Sequence, residues 1–188
     1  KYAEYFKAFS TQSVAKITEG AGDIGVRVGG MIKSVAKKLS KKDNRPFAII
    51  QFEDLTASIE VLAYSRTYES CKELIHRDEA NREVKNEDGS IPDVTPVFVI
   101  GLTRKVDESA SVSITAEKVI TLDEALEKYS EELHIHLNES SDNPARLKEL
   151  LKLIGKHPGA KTKLILCIRT LTGGNVFIEA SARYRVKV

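Results

Sequence analysis

The sequence predicts a β-rich α+β fold, in which a closed five-stranded barrel is followed by a small α+β C-terminal domain. Five segments before residue 122 alternate apolar and polar residues with the period of a β-strand, and a helix-like segment separates the third from the fourth. A strand, a helix and a hairpin then follow. With 188 residues, of which 41% are hydrophobic, the chain can bury one good core or two small ones.

The first elements are a short helix and a bent strand. Aromatic residues recur at helical spacing over residues 2–9, and we expect this face to pack on the domain that follows. Residues 1–22 form the lead-in to the barrel at 23–122. In strand one, Val26 and Ile32 belong to one face and Arg27 and Lys33 to the other, while the glycines at 29–30 allow the sharp bend that a small barrel needs.

A regular hairpin comes next. Residues 45–53 and 58–64 both alternate, and closing them around a tip at 54–57 places Phe47 opposite Tyr64, Ile49 opposite Leu62, and Gln51 opposite Glu60. One face of this hairpin is wholly apolar. That face is expected to line the barrel.

The remaining barrel elements are a helix at 66–76, a polar excursion at about 77–95, and strands at 96–106 and 111–122 joined by a turn at 107–110. The order of three strands, a helix and two strands is that of an OB-fold. In that fold the second and third strands, with loops 1–2 and 4–5, hold oligonucleotides. Here those loops are 39–45 and 107–110.

Residues 123–188 are expected to form a separate small unit. Its predicted elements are a helix at 122–129, a strand at 133–137, an amphipathic helix at 143–154 ended by Gly155, and strands at 163–169 and 176–180 joined by the turn 171–175.

Positive charge is concentrated near the hairpin although the formal net charge is only +2. Seven cations and one acid, Asp43, lie between Val26 and Arg45. Such a field attracts a polyanion, usually a nucleic-acid backbone. Phe47 and Tyr64 lie beside this basic loop and either stack on bases or pack under a neighbouring element. The candidate nucleic-acid-binding residues are Lys33, Lys37, Lys38, Lys41, Lys42, Arg45, Phe47, Tyr64, Arg104 and Lys105.

The sequence offers no set of catalytic residues. Glu53, Asp54 and Glu60 lie at or near a hairpin tip without a further carboxylate placed around them, so we interpret them as turn and strand residues rather than a two-metal site. His134 and His136 could chelate a metal, but without a nearby cysteine or carboxylate they are expected to be exposed strand residues. No cofactor and no metal site is expected.

The chain has no apolar run that could span a membrane and no apolar signal region, so we expect a cytoplasmic protein without membrane contact. Its two cysteines, Cys71 and Cys167, are too few for a disulfide scaffold and are expected to be thiols in a reducing compartment. The chain begins at Lys1 without an initiator methionine, and we interpret it as part of a longer chain.

Several short motifs, in order, resemble the C-terminal OB domain of the bacterial DNA polymerase III alpha subunit family. They are Val28-Gly29-Gly30-Met31-Ile32, Ser40-Lys41-Lys42, Pro46-Phe47-Ala48, Phe52-Glu53-Asp54, Ser58-Ile59-Glu60-Val61, Val99-Ile100-Gly101, Ala116-Glu117-Lys118-Val119 and His157-Pro158-Gly159. The chain departs from the family pattern at Ala57, where glycine is common, and at Tyr64-Ser65, where Phe-Pro is usual.

The resemblance implies a non-catalytic part of a DNA-directed DNA polymerase. Its OB domain would bind single-stranded template DNA, and its C-terminal domain would dock the clamp-loader tau subunit beside the rest of the polymerase chain. Two alternatives remain: a protein-docking module without nucleic-acid binding, and an OB-fold RNA or anticodon-binding domain.

Overall fold

The structure is a computed structural model that describes residues 2–20, 23–83, 95–105, 111–142 and 144–187. The chain divides into two compact units, Lys1–Leu122 and Asp123–Val188. It is mixed α+β and rich in strands, and the first unit contains a closed five-stranded barrel, which confirms the predicted fold class.

The barrel follows the predicted order of elements. The elements of this unit are α1 (Ala3–Phe9), α2 (Val14–Thr18), β1 (Gly25–Leu39), β2 (Pro46–Glu53), β3 (Ser58–Ala63), α3 (Ser65–Glu83), β4 (Val97–Arg104) and β5 (Ser113–Thr121). Around the barrel the strands run β1-β2-β3-β5-β4, with β4 returning to β1; β3 and β5 are parallel and the other pairs antiparallel. Helix α3 between β3 and β4 completes an order consistent with an OB-fold.

Strand β1 closes the barrel by changing partners at its glycines. Residues 25–30 pair with β4, and residues 31–39 pair with β2. A Cβ at Gly30 would lie 2.3 Å from the carbonyl oxygen of Glu53, so the backbones approach too closely there for any side chain. The predicted bend therefore coincides with the exchange of partners.

A β-bulge in β1 follows the bend. Ile32 lies opposite Phe52, but the next pair joins Ser34 to Gln51, so Lys33 is an extra residue in the ladder. Successive side chains of a strand point to opposite faces, and one extra residue reverses which of them point outward. Beyond Lys33, the even-numbered residues of β1 share the face of Gln51.

The barrel core is made by the inward residues of all five strands, including the fully buried Val28, Ile50, Phe52, Val61 and Ile114. Helix α3 adds Tyr68, Cys71 and Ile75 to this core. The Thr67 hydroxyl donates to the Ala116 carbonyl at 3.0 Å and ties the start of α3 to β5.

The N-terminal segment packs on the barrel, as expected. Phe6 and Phe9 make edge contacts with Phe98 of β4, at ring-centroid distances of 5.9 and 6.2 Å. Helix α2 was not expected from the sequence. Its Val14 and Ile17 are buried in the barrel core.

Two predicted boundaries were wrong. Helix α3 continues through residues 77–83, because this stretch is polar but contains no glycine or proline. Helix α5 (Pro144–Lys156) of the second unit continues through Gly155, where a single glycine costs only about 1 kcal/mol. Residues 84–94 of the polar excursion, the turn at 107–110 and residue 143 lie outside the described residues.

The second unit is a three-stranded sheet with helices. The strand order is β6-β7-β8, with β6 and β7 parallel and β7 and β8 antiparallel. Leu150 and Ile154 of α5 pack with Leu164 and Val186, whereas Leu151 on the same predicted apolar face is 52% exposed. Its elements are α4 (Leu122–Tyr129), β6 (Glu132–Asn138), α5 (Pro144–Lys156), β7 (Pro158–Arg169), β8 (Asn175–Glu179) and a 3-10 helix (Ala182–Tyr184).

Candidate nucleic-acid interface

An aromatic pair with a lysine beside it lies on the outer face of the barrel. Phe47 and Tyr64 have ring centroids 6.1 Å apart and planes inclined by 30°. Lys38 lies directly opposite Phe47 in the β1–β2 ladder and therefore on the same face. These three residues, Lys38, Phe47 and Tyr64, form one row across the strands and are called the platform row below.

The platform row is held in place by the strands and by helix α3. The Tyr64 carbonyl accepts a hydrogen bond from the Tyr68 amide at 2.8 Å, where α3 begins. Tyr64 is 53% exposed and Phe47 is partly buried. The Tyr64 ring is thus exposed enough for stacking, and the Phe47 ring lies beside it.

The predicted register of the hairpin is confirmed for the two pairs between the platform row and the hairpin tip. Ile49 pairs with Leu62, and Gln51 pairs with Glu60. Ile49 and Leu62 are half-buried and extend the apolar surface next to the rings. Leu39, the last residue of β1, is exposed, but it lies opposite Pro46 and therefore on the other face from Phe47.

The two adjacent lysines of β1 are not equivalent. Lys37 lies opposite the buried Ala48, so it points away from the face of Phe47. Without the bulge at Lys33, the alternation would have placed Lys37 rather than Lys38 in the platform row. Lys33 itself pairs with Glu53 at 3.1 Å, which offsets its charge.

The loop between β1 and β2 is a compact basic turn. The Asn44 amide donates to the Ser40 carbonyl, and the Ser40 amide donates to the Arg45 carbonyl, both at 2.9 Å. Asn44 has a φ of 54°, a left-handed conformation that asparagine tolerates. Lys41 and Lys42 are exposed on this turn, which joins the ends of β1 and β2 next to the platform row.

One acid moderates the charge of the loop. A hydrogen bond from Ser40 is the main reason why the pKa of Asp43 is lowered, so this carboxylate is ionised at neutral pH. Arg45 lies 3.7 Å from it. Arg45 is therefore partly engaged within the loop, whereas Lys41 and Lys42 point into solvent.

The other predicted cations lie farther away. Arg104 is opposite Ser113, and Ser113 is opposite Glu60, so Arg104 shares the row of Glu60. Tyr64 is four residues further along β3, roughly 13 Å at about 3.3 Å per residue. Lys105 follows Arg104 and is exposed. The structure does not bring these two residues to the platform row.

The acidic residues near the hairpin tip form no metal centre. Asp54 Oδ1 accepts hydrogen bonds from the Thr56 amide and hydroxyl at 2.7 Å each, and Oδ2 accepts one from the Val14 amide at 2.9 Å. Both oxygens of the Asp54 carboxylate thus accept hydrogen bonds from the protein itself. Within the described ranges no three His, Cys, Asp or Glu side chains are arranged to hold a metal.

The expectation that the histidines lack a partner was wrong for His134. Its Nε2 lies 2.9 Å from Glu132 Oε2, and its Nδ1 lies 3.6 Å from Cys167 Sγ. The cysteine is 33 residues away in sequence and is brought close by the parallel pairing of β6 and β7. Cys71 and Cys167 are both free and buried, as predicted.

None of the helices in the described part of the chain is long and apolar enough to cross a membrane.

Comparison with known proteins finds a similarity for part of the chain. No protein-family model matches it. A stretch of 75 residues, 38% of this chain, is 31% identical to part of the DNA polymerase III subunit alpha of Saccharopolyspora erythraea. The matched stretch covers 6% of that protein's length. A stretch of this chain is therefore similar to a small part of a DNA polymerase III subunit alpha.

Proposed function

We propose that this chain is a C-terminal part of a replicative DNA polymerase alpha subunit and that its barrel binds single-stranded template DNA. The observation that carries the proposal is the platform row, in which a lysine and two contacting aromatic rings share one face beside a basic loop. The similarity to DNA polymerase III subunit alpha supports it. The barrel would bind DNA without catalysis, while nucleotidyl transfer would belong to the rest of the polymerase chain, in the bacterial cytoplasm.

Binding would combine stacking with phosphate contacts. Bases stack on aromatic side chains with little regard to sequence, because every base presents a π face. The Tyr64 ring, supported by Phe47, would receive a base, and Lys38, Lys41 and Lys42 would contact phosphates. Arg45 would add a weaker contact because of Asp43. Affinity would then fall steeply with salt, since cations on the backbone are released on binding.

The bound DNA strand would run from the platform row towards the basic loop rather than along the hairpin towards its tip. Glu60 lies farther along the same face and its carboxylate repels phosphates, whereas the charge of Glu53 is offset by Lys33. Arg104 and Lys105 would contact only a strand long enough to pass this acidic region. A short oligonucleotide would therefore occupy the loop end.

Fluorescence-anisotropy titration of a labelled deoxythymidine oligomer at several salt concentrations tests the proposal. Lys41→Glu/Lys42→Glu should weaken binding and flatten the salt dependence, and Phe47→Ala should weaken binding without flattening it. Lys72→Glu is the matched control, because Lys72 lies on α3 and pairs with Glu69.

The same titration separates the alternatives. No binding at low salt would reject the proposal and favour a docking module. Tighter binding to folded tRNA than to the deoxythymidine oligomer would reject it in favour of an RNA-binding domain.

We also propose that the second unit docks replisome partners, by resemblance the clamp-loader tau subunit. The feature that supports docking is β8, an edge strand of the sheet on which Val176, Phe177 and Ile178 are 45%, 65% and 45% exposed. An edge with such side chains can accept an added strand. Phe177→Asp should abolish binding to purified tau, whereas Lys156→Asp on α5 should not.

A further inference from the structure

The open face of the three-stranded sheet carries a chain of three chemically distinct groups. Glu132 and His134 are neighbours on this face of β6, and Cys167 lies beside them on β7. The distances are 2.9 Å from Glu132 Oε2 to His134 Nε2 and 3.6 Å from His134 Nδ1 to Cys167 Sγ. A carboxylate, an imidazole and a thiol are thus joined in sequence, and we call them the Glu-His-Cys relay.

The carboxylate decides which imidazole nitrogen carries the proton. A carboxylate only accepts hydrogen bonds, so Nε2 of His134 must donate to Glu132. In the neutral ring, Nδ1 is then the acceptor, and it faces the sulfur of Cys167. The thiol therefore has a base within reach, and that base is oriented by a third group, as in the general arrangement of an activated nucleophile.

The sulfur also borders a cavity. A recess of about 390 Å³ is lined by His136, Cys167, Arg169 and Phe177, together with residues of the β6 end and the loop after it. Cys167 is 5% exposed, so only small molecules entering this recess would meet the sulfur. Arg169 also lines the recess, and its positive charge favours an anionic leaving group there.

We propose that Cys167 is a nucleophilic thiol, activated by the Glu-His-Cys relay, that small hydroperoxides oxidise to a sulfenic acid. The thiol proton passes to Nδ1 of His134, and the sulfur attacks the terminal oxygen of the hydroperoxide. The S–O bond forms as the O–O bond breaks, and two electrons pass from sulfur to the peroxide. The departing alkoxide takes the proton from His134 and leaves as an alcohol, or as water when the oxidant is hydrogen peroxide.

The other cysteine provides an internal reference. Cys71 is buried between α3 and the barrel, and burial raises the pKa of its thiol to about 11. It therefore holds very little thiolate at neutral pH. The two thiols of one chain differ in environment, and one peptide digest gives the extent of labelling at each.

Other charged and ionisable groups lie near the relay. Among the described residues on this sheet face or around the recess, they include His136, Asp142, Lys163, Arg169 and Glu179. Lys163 and Glu179 pair at 3.4 Å and largely offset each other.

Timed alkylation of the whole chain by iodoacetamide, read by peptide mass spectrometry, tests the activation step. At neutral pH Cys167 should be labelled at least about tenfold faster than Cys71. His134→Asn and Glu132→Gln should each slow the labelling of Cys167 and leave that of Cys71 unchanged. His157→Asn is the control, since it removes an exposed histidine of the same unit that belongs neither to the relay nor to the lining of the recess.

The oxidation step is tested with hydrogen peroxide followed by dimedone, which labels sulfenic acids. Dimedone should mark Cys167 and not Cys71, and His134→Asn should reduce that mark. Equal labelling of the two thiols, or equal slowing by His134→Asn and His157→Asn, would overturn the proposal. Circular dichroism checks the fold of each variant, and Glu132→Gln, at an exposed position, decides the matter if His134→Asn unfolds.

Discussion

Lys38 lies directly opposite Phe47 in the β1–β2 ladder, while its neighbour Lys37 lies opposite Ala48. The two lysines have the same charge and adjacent places in the sequence, but they point to opposite sides of the strand. This pair of positions separates the effect of local geometry from the effect of net charge.

The first prediction uses these two lysines. Lys38→Gln should weaken binding of a deoxythymidine oligomer more than Lys37→Gln, because only Lys38 shares the face of the aromatic rings. The loss of one phosphate contact should make the plot of log K against log salt concentration less steep by about 0.7 for a single strand. Anisotropy titrations at several salt concentrations measure both quantities. Equal losses from the two variants would mean that charge alone, and not the platform row, attracts DNA.

The second prediction concerns the rings. Phe47→Ala and Tyr64→Ala should each cost about 1–3 kcal/mol of binding free energy if a base stacks there. Tyr64→Phe should bind nearly as well as the unmodified protein, because stacking needs the ring and not the hydroxyl. The same titration at fixed salt measures the effect. A large loss from Tyr64→Phe would instead indicate that the hydroxyl makes the contact.

The third prediction concerns the closure of the barrel. Gly30→Ala should destabilise the fold by about 2 kcal/mol or more, because its Cβ would lie 2.3 Å from the Glu53 carbonyl oxygen. Gly25→Ala is the matched control in the same strand, where no atom lies within 4 Å of the added Cβ. Urea unfolding measures both. Similar stabilities for the two variants would contradict the close approach at Gly30.

The fourth prediction concerns Asp54 at the hairpin tip. Asp54 Oδ2 accepts from the Val14 amide and Thr56 Oγ1 accepts from the Ala15 amide, so the tip caps helix α2 from 40 residues away. Asp54→Asn should cost about 1 kcal/mol of unfolding free energy, since an amide cannot accept all of these hydrogen bonds. Asp43→Asn, in the exposed loop, is the control and should change stability little.

The cost of Asp54→Asn should also depend on pH. Burial alone would raise the pKa of Asp54, but hydrogen bonds from Thr56, Val14 and Ala57 outweigh it and hold the pKa below the usual 3.8. A lowered pKa in the folded state stabilises the protein above the unfolded-state pKa, and this contribution is lost as the pH falls through the folded-state value. The difference in unfolding free energy between the unmodified protein and Asp54→Asn should be constant near neutral pH and shrink below about pH 4. A constant difference down to the acid limit would contradict this assignment.

Much of the barrel could be predicted from the sequence because the residue patterns that determine it are local. The alternation of residues 45–53 and 58–64 and the tip between them determine the hairpin register, and hence the meeting of Phe47 with Tyr64. The glycines at 29–30 similarly indicated the bend in β1. These features depend on residues that are close together along the chain.

The features that the sequence did not predict depend on distant contacts. Helix α2 has only five residues, too few to be stable alone, and it depends on Asp54 and Thr56. The Cys167 contact with His134 depends on the parallel register of β6 and β7, which no local pattern determines. The bulge at Lys33 had no turn residue to mark it, so the orientations of Lys37 and Lys38 could not be assigned from alternation.

The bulge also lets recognition change during evolution without a change in the core. If the extra residue moved from Lys33 into the loop between β1 and β2, residues 25–32 would stay paired as they are, but Lys37 instead of Lys38 would lie opposite Phe47. The cation beside the aromatic rings could thus be exchanged without any substitution in the barrel core. Related chains with the same core can be sorted by the position of this bulge.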